Sequence, residues 1–73
     1  MDIAKDQLIA RKRVHRLILT DRLRELREEA GLSQSDIARA IGVAPSQVSR
    51  WESGVSQPRP AHALTLLELL ETS

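Results

Sequence analysis

The segment from Ser33 to Gly54, SQSDIARAIGVAPSQVSRWESG, constrains the fold more than any other part of the chain. Ser33-Gln34-Ser35-Asp36 has capping-box form: a hydroxyl that accepts from a backbone N–H, and an acid three residues on that reaches back. It predicts a helix with Ile37, Ala38 and Ile41 on its inner face, ended by Gly42 at positive φ. Pro45 then opens a second helix, since the N–H it lacks has no partner in a first turn anyway. Val43 before the cap can staple to Val48, which fixes the register. Val48 and Trp51 point inward at i and i+3. Ser46, Ser49, Arg50 and Ser53 fall at i, i+3, i+4 and i+7 on the opposite side, and Gly54 stops the helix. Ala44 is a poor cap, costing about 0.5–2 kcal/mol relative to Ser.

The other stretches also repeat every three or four residues and none alternates with period 2, so the chain reads as all-α. Leu19, Leu23, Leu26 and Ala30 predict an amphipathic helix from about Leu17 to Glu29, closed by Gly31. Val55 to Pro60 reads as a loop, and Ala61 to Glu71 as a leucine-rich last helix. The division expected is an N-terminal basic extension over residues 1–16 and a helical domain over 17–73. In the extension Leu8, Ile9 and Val14 lie loosely on one side. Its run Arg11-Lys12-Arg13-Val14-His15-Arg16 is either a helix packed on the body or an arm.

At 73 residues, the chain can bury only about 60% of its unfolded surface, so any function sits on the outside. With no cysteine there are no disulfides, thiolate zinc sites or thiol nucleophile. His15 and His62 have no ligand partner at useful spacing, so neither a metal nor another cofactor is expected. A nucleophile, an oriented base and a water-excluding pocket have no support either, and an enzyme is not expected. No apolar run reaches the roughly 20 residues of a membrane span, and MDIAKDQLIA is not a signal sequence. A cytoplasmic, nucleoid-associated protein is expected, or one in the host cytoplasm if phage-encoded. The net charge of +1 conceals a strong local bias, because Arg11 to Arg16 alone carries +4. Local positive charge of this kind suits a binding patch for nucleic acid.

A helix-turn-helix needs a small residue where its helices cross, a bend tolerant of positive φ, and apolar residues that lock the second helix. Ala38, Gly42 and the set Ile37, Ile41, Val43, Val48 and Trp51 meet these needs in register. With Leu23, Leu26, Gly31-Leu32-Ser33-Gln34, Ser49, Glu52 and Pro58, the stretch from about Leu17 to Leu70 resembles the lambda repressor and Cro-like family. The resemblance implies a lambda-repressor-like compact bundle of four to five helices. It also implies a Gln34 that anchors to DNA phosphate, and Pro45, Ser46, Ser49 and Arg50 facing base edges. The family usually adds a fifth helix after the one matching Ala61 to Glu71, and no such helix precedes Ser73. The sixteen-residue extension is not required by the family core.

The residues themselves point the same way. The guanidinium of Arg50, in the middle of the outward stripe, can span O6 and N7 of a guanine. Ser46 and Ser49 are short enough to let the helix come close to base edges. Pro45 either presses on a thymine methyl or only starts the helix, and Gln47 lies at the stripe's edge. Gln34 has an amide to donate at a helix N-terminus, a favourable phosphate site. Ser33, Arg39, Gln57, Arg59, Arg11 and Arg13 complete the expected phosphate contacts. The last helix is apolar on more than one side. Either the extension covers it, or a second copy does so through Leu66, Leu67, Leu69 and Leu70. The reading is a sequence-specific regulator of transcription, most simply a repressor. An antitoxin gripping a partner protein with its extension and an accessory factor for recombination remain as alternatives.

Overall fold

The computed structural model describes residues 2–71. Five helices follow one another: α1 (Ile3–Leu19), α2 (Arg22–Glu29), α3 (Gln34–Ile41), α4 (Pro45–Ser53) and α5 (Pro60–Glu71). No strand occurs among the described residues.

The basic run is helical, and the expected division after residue 16 falls inside α1. Asp2 caps this helix by accepting from the Lys5 backbone N–H at 3.1 Å. Its end differs from the expected helix over 17–29, which is broken in two. The Thr20 hydroxyl donates back to the Arg16 carbonyl at 3.0 Å, and Asp21 takes φ 57°, a left-handed conformation that Asp tolerates better than most residues. Residues 17–19 therefore belong to the last turn of α1. Leu19, expected on the inner stripe, is 71% exposed instead.

Ala10, Val14 and Ile18, spaced four apart, form the buried stripe of α1. Leu8 and Ile9, expected beside Val14, are about half exposed because they lie off that stripe. The stripe packs along α5, which buries Ala63, Leu66, Leu67 and Leu70. The extension thus packs on the apolar face of the last helix, the first of the two coverings expected. Leu66, Leu67 and Leu70 are interior side chains, and Leu69 is partly buried against the same core. They are not the exposed contact set for a second copy that the sequence suggested. Leu23, Ile37, Ala38, Val48 and Trp51 close the core from the other helices.

At the N-terminus of α3 the capping box is complete. Ser33 Oγ accepts from the Asp36 backbone N–H, and Asp36 Oδ2 accepts from the Ser33 backbone N–H, both at 2.9 Å. The Ser33 backbone N–H first and then the Ser33 hydroxyl hold the Asp36 carboxyl below its ordinary pKa, and Arg39 adds to the effect. A depressed folded-state pKa means that this contribution is complete above the ordinary carboxylate value and disappears as pH falls through the lowered one. Ser33→Ala is expected to cost about 1 kcal/mol in urea melts near neutral pH. An unchanged midpoint would show that the cap contributes nothing.

Candidate nucleic-acid interface

The bend between α3 and α4 rests on Gly42. At φ 90° it lets the N–H groups of Gly42 and Val43 both reach the Ala38 carbonyl, at 2.8 and 2.9 Å. Ala38 is buried at the crossing, and Val48 and Trp51 anchor α4 in the core at 2% and 3% exposure. The Trp51 ring also leans on His62 of α5, with ring centroids 6.2 Å apart.

Fixing α4 by that face leaves Pro45, Ser46, Gln47, Ser49 and Arg50 exposed together. No side chain caps its N-terminus. Ser53 turns its hydroxyl back to the Arg50 carbonyl at 3.1 Å. The Arg50 guanidinium has no hydrogen bond or ion pair among the described residues.

The expected phosphate contacts are placed less uniformly. Ser33 and Arg39 are exposed on α3, and Gln57 and Arg59 on the loop between α4 and α5. Ser33 Oγ is engaged in its own cap. The Gln34 amide is not free, contrary to the sequence expectation: its Nε2 donates to Glu52 Oε1 at 3.0 Å. One amide hydrogen is thus already used to brace the two motif helices. Gln57 Nε2 donates to His15 Nδ1 at 2.6 Å, tying the loop to α1. Arg11 lies beside that bond on the exposed face of α1. Arg13 does not share this face, because its guanidinium pairs with Glu71 at 2.7 Å.

The sequence reading missed the group that orients α4. Arg27 on α2 forks onto Glu52, with Nε donating to Oε2 at 2.5 Å and Nη2 to Oε1 at 3.2 Å. Its Nη1 donates to the Leu32 carbonyl at 2.9 Å. The two side chains are only 13% and 4% exposed. The hydrogen bond to Glu52 raises the pKa of Arg27 above its ordinary value, against the opposing effect of burial; the Glu52 and Glu28 charges contribute less. The available signal was Glu52 itself, an acid next to the inward Trp51, which could be buried only with a cationic partner.

No group of three or more metal-ligating side chains occurs among the described residues, and no described helix is long and apolar enough to cross a membrane. A family model for helix-turn-helix domains matches residues 23–73. Neither the comparison with curated proteins nor that with solved structures returns a match. Five helices sharing one core, a glycine bend between α3 and α4, and a family match that spans α2 to α5 lead to one conclusion. The chain belongs to the Cro/C1-type helix-turn-helix family of DNA-binding transcription regulators.

Proposed function

We propose that the protein binds a specific duplex DNA site by inserting α4 into the major groove and acts there as a repressor. The observation that carries this is the division of α4. Val48 and Trp51 hold one side in the core, while Pro45, Ser46, Gln47, Ser49 and Arg50 stand exposed on the other. Arg50, with no side-chain partner among the described residues, is the residue for bidentate reading of a guanine. Ser46 and Ser49 let the backbone approach base edges, Pro45 presents an apolar edge to a thymine methyl, and Gln47 reaches the neighbouring base. Ser33, Arg39, Gln57 and Arg59 flank α4 and set its register through phosphates, and the remaining amide hydrogen of Gln34 serves the same purpose.

Repression needs no further chemistry, because a protein seated on its site excludes polymerase from the same DNA. Selection of bound duplexes from a random pool, at stated salt, is expected to return one short preferred sequence. Arg50→Ala is expected to flatten the preference at one position, at a cost of about 1–3 kcal/mol there. Unchanged preference and affinity would move the reading surface away from α4.

A further inference from the structure

We propose that α1 carries a second, sequence-independent site for DNA phosphate, formed between its basic face and the loop that leaves α4. This rests on α4 being the helix that meets duplex DNA. Arg11, Lys12, His15 and Arg16 line a concave site of about 360 Å³ together with Leu19 and Gln57. No carboxylate lines it, and among the described residues no acidic side chain pairs with Arg11, Lys12 or Arg16.

On α1 and α2 every other arginine has an acidic partner. Arg13, from the same run, is turned to the other side of α1 and neutralised by Glu71. Arg22 and Arg24 on α2 likewise meet Glu25 and Glu28. Like charges at helical spacing repel one another, so an uncompensated row gains from a polyanion laid along it. Residues 11–19 cover about 12 Å of helix axis at 1.5 Å per residue. Duplex DNA carries a charge about every 1.7 Å, which supplies several phosphates over that length.

Two contacts join this face to the reading helix. The N–H groups of Val55 and Ser56 donate to the Arg50 carbonyl, at 3.0 and 3.4 Å. One residue further, Gln57 donates to His15. At the same corner Gly54 faces Ile18 of α1, whose methyl would lie in ordinary contact, 3.6 Å, with an added Cβ. The groove therefore begins where α4 ends. A free acidic protein would meet the same charges, but this attachment to the end of α4 favours the duplex already held there.

The test replaces Arg11, Lys12 and Arg16, all exposed, with Gln in the full chain, with an unchanged melting curve as the check on folding. Anisotropy titrations use the duplex selected by the wild type, between about 50 and 200 mM salt. The slope of log affinity against log salt is expected to fall by about 2.7. Over that fourfold range the wild type then loses about 40 times more affinity than the variant. Base preference stays the same. Lengthening the duplex by about five base pairs at each end, half a turn, strengthens binding by the wild type more than by the variant. Arg13→Gln leaves the slope unchanged. An unaltered slope and flank dependence in the triple variant overturn the α1 site. If Arg50→Ala still flattens base preference in that case, the role of α4 stands alone and the groove serves some other anion. A wild type that binds no duplex at low salt overturns both.

Discussion

Glu52→Ala is expected to destabilise the protein by about 3 kcal/mol or more, the range seen when one partner of a buried ion pair is removed. The reason lies in what remains. Arg27, only 13% exposed, would keep its charge with no carboxylate to receive its fork, since a guanidinium does not deprotonate in proteins. The Gln34 amide would lose its acceptor as well. A domain of this size is stable by only about 4–11 kcal/mol, so the loss is a large share of the total. Urea denaturation followed by circular dichroism measures it. Replacing Arg27 with Met in the same chain should recover much of the loss, because two apolar side chains carry no desolvation penalty. A single variant within about 0.5 kcal/mol of wild type would show the bridge to be idle. By contrast, the exposed Arg13–Glu71 pair, both side chains more than half open to solvent, is worth no more than about 1 kcal/mol.

Removing residues 1–16 is expected to abolish cooperative unfolding. The deletion takes away Ala10 and Val14 and uncovers the face of α5 that buries Leu66, Leu67 and Leu70. Each leucine exposed forfeits about 1.5–3 kcal/mol, a sum comparable with the whole stability of the domain. Thermal melts of the shortened chain should show a broad, weak transition and strong binding of a hydrophobic dye. If residues 1–16 were instead a detachable arm, the shortened chain would melt at the temperature of the full one. The family match begins only at Leu23, so the deletion asks whether the matched segment stands without the helix in front of it.

Local chemistry made the helix-turn-helix readable. The side chains of Ser33 and Asp36 accept from each other's backbone N–H whatever surrounds them, Gly42 adopts a φ that few other residues accept, and Pro45 fixes the first turn of α4. The inward pair Val48 and Trp51 and the outward row around Arg50 follow from a period of 3.6, which is a property of the sequence. The helix break at Thr20 and Asp21 was not readable in the same way. The 3.6-residue pattern runs on through Leu19 and Leu23, and only the back-bonded Thr20 hydroxyl and the left-handed Asp21 interrupt it. Leu19 was misplaced for that reason.

The sequence by itself determined the secondary structure of the motif and the face of α4 left exposed, because caps, bends and helical period act over four or five residues. Only the tertiary structure decided what covers α5, which arginines are neutralised, and that Gln34 braces Glu52. Those outcomes join positions far apart in the chain: Arg13 with Glu71, Arg27 with Glu52, and His15 with Gln57. Helical periodicity gives the face on which a side chain lies, but its partner depends on how whole helices pack, and that is set by the shape of the shared core.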